Sequence, residues 1–181
     1  MKFTSHLFIF VTIFSGFWLD SLIAEFNIRI YIAALESLPY LVETSLGFLI
    51  LCYWIYAIPE KIQSSAAFCY GLLVDLCFGS AIGFNMLFFS GISYVIHVYV
   101  FRFRIFSYLQ LIIFFAGSSM FYVACKYLIF SPENYSYLLL LCSFLINGLL
   151  WLPIYFCMRS LRRSFLWAQG RWKKSLLAFC F

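Results

Sequence analysis

The sequence is poor in charge. Only 10% of its residues are Asp, Glu, Lys or Arg, while 65% are hydrophobic and 23% aromatic. Soluble domains carry about 25% charged residues. So few charges could not cover the surface of a water-soluble fold this apolar, so lipid is the solvent. Clustered metal ligands are also lacking. There are two histidines, His6 and His97, and the seven cysteines form no CxxC pair. Disulfide frameworks and zinc sites need paired or clustered ligands. Cys52, Cys69, Cys77, Cys125, Cys142 and Cys157 all lie in apolar runs, with Cys180 next to last, and read as small packing residues. HExxH, GxSxG, a Walker loop and paired carboxylates are all missing. No serine has a histidine or lysine at a comparable depth. The chain therefore reads as a non-enzyme that needs no cofactor and no metal.

No stretch is long and polar enough for an extramembrane domain, and what remains is a series of apolar runs. A helical span needs roughly 20 residues to cross a core of ~30 Å. The sequence predicts an all-α membrane protein with six spans at about 7–24, 40–58, 64–81, 83–101, 107–130 and 137–158. Residues 1–166 form one membrane domain and 167–181 a basic-aromatic tail. The start, Lys2 and then an apolar run to Leu19, lacks an A-x-A-like cleavage site and reads as a retained first span. Asp20 lies near that span's far end. Residues 25–38 mix Glu25, Arg29 and Glu36 with apolar side chains, which suits either a short interfacial helix or an ordinary connection.

Pro39 and Pro59 bracket the second span, as prolines do at helix ends. Residues 66–101 hold a single charge, Asp75. As one helix they would be ~54 Å long, so they must fold as a hairpin, with the break at Gly79–Gly83. Pro153, near the end of the sixth span, marks a kink.

Basic residues set the orientation. Six spans put Lys2, Lys61, Arg102, Arg104, Arg159, Arg162, Arg163, Arg171, Lys173 and Lys174 on one side, and only Arg29 and Lys126 on the other. Both termini are therefore expected in the cytoplasm, with Arg102, Arg104, Arg159, Arg162 and Arg163 forming a basic cytoplasmic face. Trp167 and Trp172 interleave with the tail cations. Directly after a span, that pattern suits an anchor on anionic lipid better than a nucleic-acid site.

Asp75 stands out. An acid inside a span costs at least ~2.5–3.5 kcal/mol on insertion scales, so it should face protein. Gly71, Asp75, Gly79 and Gly83 are four residues apart and form one helical stripe on which another backbone can approach closely. Asp75 could be a proton relay, a ligand group or a buried hydrogen-bonding staple. A relay needs further ionisable groups at similar depth, and none is found, which favours the staple. Asn147, in the sixth span beside Gly148, could pair with Asp75 or bond a local carbonyl.

Four segments carry a family resemblance. They are Leu49-Ile-Leu-Cys-Tyr-Trp-Ile-Tyr-Ala-Ile-Pro59, Gly71-Leu-Leu-Val-Asp75-Leu-Cys-Phe-Gly79-Ser-Ala-Ile-Gly83, Asn147-Gly-Leu-Leu-Trp151 with Pro153, and Met158-Arg-Ser-Leu-Arg-Arg163. In order and spacing, over about residues 48–166, the chain resembles the rod shape-determining MreD family. Residues 25–46 are longer and more polar than the family pattern, and the tail beyond Leu166 extends it. The resemblance implies a bacterial inner-membrane component of the rod complex, or elongasome, that scaffolds lateral peptidoglycan synthesis and maintains cell shape. Its implied partners are MreC first, then MreB, RodZ, RodA and a class B penicillin-binding protein, with no nucleic acid. It also implies a fold like the six-helix substrate-binding components of energy-coupling transporters, and no catalytic residues. The competing function is a small-molecule-binding subunit of a transporter, with Asp75 and Asn147 lining its pocket.

Overall fold

The computed structural model describes residues 2–25, 44–59, 62–78, 83–99, 107–130, 132 and 137–179. These residues are all-helical in their regular structure. They form α1 (Lys2–Glu25), α2 (Leu46–Ala57), α3 (Ser64–Phe78), α4 (Phe84–Val98), α5 (Tyr108–Phe130) and α6 (Tyr137–Phe179). Three helices are long and apolar enough to cross a bilayer unaided: His6–Ile23 within α1, all of α5, and Tyr137–Ser164 within α6. The other three have 12, 15 and 15 residues. At 1.5 Å per residue they reach about 18–22 Å, short of the ~30 Å core.

The short helices depart from the expected lengths for a physical reason. α2 starts at Leu46 rather than near residue 40, because Thr44 and Ser45 are non-helical and bonded to other helices. α4 ends at Val98, and α3 ends at Phe78 before the glycine-rich turn. Gly83 closes that turn at φ 109°, a left-handed conformation that glycine adopts without the Cβ penalty. Residues 79–82, including Gly79, lie outside the described residues, as do 26–43 between α1 and α2 and 100–106 with Arg102 and Arg104.

α6 also differs from expectation. It does not end near Met158 but continues unbroken to Phe179, with Pro153 inside it. The backbone thus has no break between the expected sixth span and the basic tail. The residues that follow the span, rich in Arg, Leu, Trp and Lys, keep adequate helix propensity.

α2 is the middle of the molecule. Gly47, Phe48, Leu49, Ile50, Leu51, Cys52, Tyr53, Trp54 and Ile55 are all buried, which makes this helix apolar and covered all round. α1, α4, α5 and α6 pack around it, and α3 lies against α4 and α1. α1 turns Ile9 and Ile13 inward while Leu7, Val11 and Trp18 stay exposed, and α5 likewise presents Leu109, Ile113 and Phe121 outward. Aromatic rings fill much of the space between helices. Phe48 stacks on Tyr122 at 4.7 Å, Trp151 on Phe115 at 4.1 Å, and Phe8 meets Trp54 edge-on at 6.0 Å. Such pairs contribute about 0.5–1.5 kcal/mol each beyond their burial. The six described cysteines are free thiols, with Cys52 buried.

Candidate functional site

Short buried helices raise a problem of backbone chemistry. The first four N–H groups and last four C=O groups of any helix lack partners within it. In hydrocarbon each unsatisfied group costs several kcal/mol. α2 is buried along most of its length, and other helices supply side-chain partners to both of its ends.

The amino end of α2 is held by Asp20 of α1. One carboxylate oxygen accepts from the Leu46 N–H and the Thr44 hydroxyl, both at 2.9 Å. The other accepts from the Gly47 N–H at 2.9 Å. Asn147 of α6 adds its Oδ1, which accepts from the Ser45 N–H at 3.2 Å, while its Nδ2 donates to Ser143 Oγ at 3.0 Å. The carboxyl end of α2 meets donors. Arg162 of α6 donates to the Ala57 carbonyl at 3.2 Å. The two ring nitrogens of His97 lie 2.8 Å from the Pro59 carbonyl and 2.7 Å from the Ser93 carbonyl. An acid at the amino end and cationic residue types at the carboxyl end also oppose the helix dipole.

Asp75 does the same for α4. It is 1% exposed and is the twelfth of the fifteen residues of α3. Its carboxylate accepts from the N–H groups of Gly83 at 2.9 Å, Asn85 at 3.3 Å and Met86 at 3.4 Å, and from the Asn85 side-chain amide at 2.8 Å. Asn85 in turn accepts from the Tyr122 hydroxyl at 2.7 Å, which carries the network to α5. Gly71 lies one turn before Asp75. A methyl group there would stand 2.5 Å from Met86 Cα and 2.6 Å from its nitrogen, so only hydrogen fits beneath the first turn of α4.

The sequence-predicted residues thus part company. Gly71 and Asp75 share a face of α3, whereas Gly83 lies beyond the end of that helix, in the left-handed region with open space at its Cβ position, so the expected single stripe does not reach it and only its N–H meets Asp75. Asn147 does not join them, because its hydrogen bonds go to Ser45 and Ser143. The expected pairing of Asp75 with Asn147 is corrected accordingly, since helix-end N–H groups claim each side chain first. Of the basic residues, Arg162 reaches the end of α2, Arg159 is half-buried and Arg163 exposed. Sequence reasoning did not single out Asp20, Asn85, Tyr122 or His97 for these roles. Among the described residues, Ser45 Oγ alone is a buried side-chain polar atom without a partner.

The site as a whole is a set of intramembrane polar side chains consumed in holding helix ends. No solved structure matches the chain. The family of rod shape-determining protein MreD matches residues 4–161, which takes in most of α1, the starts of the other five helices and every contact described above except that of Arg162. Together with the all-helical membrane architecture, that match places this chain in the MreD family of rod shape-determining proteins.

Proposed function

We propose that this chain is a non-enzymatic inner-membrane scaffold of the rod complex, which organises lateral peptidoglycan synthesis. The observation that carries the reading is the use of its buried polar groups. Asp20, Asp75, Asn85, Asn147, His97 and Arg162 are all engaged with helix ends or with each other, which suits a rigid body better than a reaction centre. The family is one of shape-determining membrane proteins, which points the same way. In this reading residues 1–166 are one membrane domain crossed by six helices. Lys2, Lys61, Arg102, Arg104, Arg159, Arg162, Arg163 and the tail cations form the cytoplasmic face with both termini. MreC is its first partner, and MreB, RodZ, RodA and a class B penicillin-binding protein complete the assembly.

The test is a gentle detergent pull-down from native membranes, with co-purifying chains identified by mass spectrometry. Recovery of a single-span protein with a periplasmic coiled coil, together with wall-synthesis enzymes, is the expected result. Recovery of a cytoplasmic ATPase pair with a transmembrane coupling subunit would overturn the scaffold in favour of a transporter's binding subunit.

A further inference from the structure

The chain contains two aspartates, and each stands four residues after a glycine: Gly16-Phe-Trp-Leu-Asp20 and Gly71-Leu-Leu-Val-Asp75. The spacing puts glycine and acid on one helix face, one turn apart. What each pair meets is the same. A methyl group on Gly16 would lie 2.8 Å from Gly47 Cα and 3.1 Å from the Gly47 nitrogen. Gly47 is also a residue whose N–H donates to Asp20. A methyl group on Gly71 would lie 2.5 Å from Met86 Cα, and Met86 likewise donates its N–H to Asp75. In both hairpins the glycine admits the first turn of the following helix, and the acid one turn later takes that turn's N–H groups. The two sites differ in detail: Asp20 takes the N–H groups of Leu46 and Gly47 with the Thr44 hydroxyl, and Asp75 those of Gly83, Asn85 and Met86 with the Asn85 amide.

We infer that α1–α2 and α3–α4 carry two copies of one Gly-x-x-x-Asp latch, and that Asp20 is a positioning residue for α2 equal in weight to Asp75 for α4. The inference stands on the juxtaposition of Gly16 with Gly47 and Asp20 with the amino end of α2. It does not depend on the identity of any partner protein. Its consequence is specific. The central helix, on which the rest of the bundle packs, is set in place from α1 by a residue outside the Gly71–Gly83 segment. Each latch is local to its hairpin, so each should fail alone.

Residue-resolved amide exchange on the full-length 15N-labelled protein in lipid nanodiscs tests this. In Asp20→Asn the amides of Leu46 and Gly47 should exchange about tenfold faster or more, while those of Gly83, Asn85 and Met86 keep their protection. Asp75→Asn should give the mirror image. Thr44→Val, which removes one donor and leaves the carboxylate, should give a smaller rise at Leu46 and Gly47 and serves if Asp20→Asn does not fold. Unchanged exchange at Leu46 and Gly47 in both Asp20→Asn and Thr44→Val would overturn the first latch. Equal loosening of both sites by either aspartate substitution would overturn their independence. A failed pull-down of rod-complex partners would leave these exchange rates untouched, so the two readings fail separately.

Discussion

A buried carboxylate surrounded by backbone N–H groups is sensitive to what replaces it, and Asp75 illustrates why. Asp75→Asn keeps the shape but leaves one oxygen to accept and turns an amide toward N–H donors. With charge-assisted bonds lost at Gly83, Asn85 and Met86, destabilisation of at least ~1–3 kcal/mol is expected. Asp75→Leu strands all of those donors and should yield little folded protein, whereas a residue that merely lined a pocket would tolerate leucine. Monodispersity on size exclusion and the thermal midpoint of the purified variants separate the two. Tyr122→Phe is the milder probe. It removes only the hydroxyl bond to Asn85 and should cost ~0.5–1.5 kcal/mol. That Asp75 faces protein and that Gly71 meets another backbone follow from an acid inside an apolar run with a glycine four residues before it. The partner was not legible there. A search for polar side chains at similar depth led to Asn147, while the groups in need were the N–H donors of the next helix, which no side-chain inventory displays. Asp20 was overlooked for the same reason, although the glycine four residues before it was a signal open to reading.

Among the elements, α2 shows how much the environment decides. Its twelve residues are apolar on every side, and their composition alone says only that they are buried. Hydrophobic runs locate helices well, as they do for α5, whose bounds almost coincide with the apolar run. They locate ends poorly where an end is set by a distant side chain, as at Thr44 and Ser45. The carboxyl end of α2 allows a direct test. The two ring nitrogens of His97 face the carbonyl oxygens of Pro59 and Ser93, with the Ser93 hydroxyl 3.5 Å from Nδ1, so the ring ties α4 to the segment that follows α2. Arg162→Ala frees the Ala57 carbonyl and His97→Phe frees the Pro59 carbonyl. Each should cost ~1–3 kcal/mol. Because both act on the same end of one helix, the double variant should depart from additivity by ~0.5 kcal/mol or more. A denaturation series on the two single variants and the double variant reads this directly; strict additivity would mean that the two residues hold the chain independently.

For the whole molecule, the question is how much of the chain the bundle needs and what sets its direction in the membrane. Arg162 donates a hydrogen bond to a carbonyl at the end of the central helix. The family match ends one residue earlier, at residue 161. α6 nevertheless continues to Phe179, and its last stretch brings Arg171, Lys173 and Lys174. Removing residues 165–181 would leave Arg162 and the aromatic packing of Trp151 on Phe115 in place. Cationic residues on the proposed cytoplasmic side would fall from ten to seven, still against two on the other side, and such a bias continues to fix orientation. A chain ending at Ser164 should therefore insert with its amino terminus in the cytoplasm, as reported by an amino-terminal tag protected from external protease in right-side-out vesicles. Its thermal midpoint should stay within about 2–4 °C of the full chain, the shift that ~1 kcal/mol produces in a domain of this size. A larger loss would show that the final helical stretch supports the bundle. Retained stability with lost rod-shape complementation would assign that stretch to contacts outside it, with anionic lipid as the first candidate because the last acidic residue of the chain is Glu133.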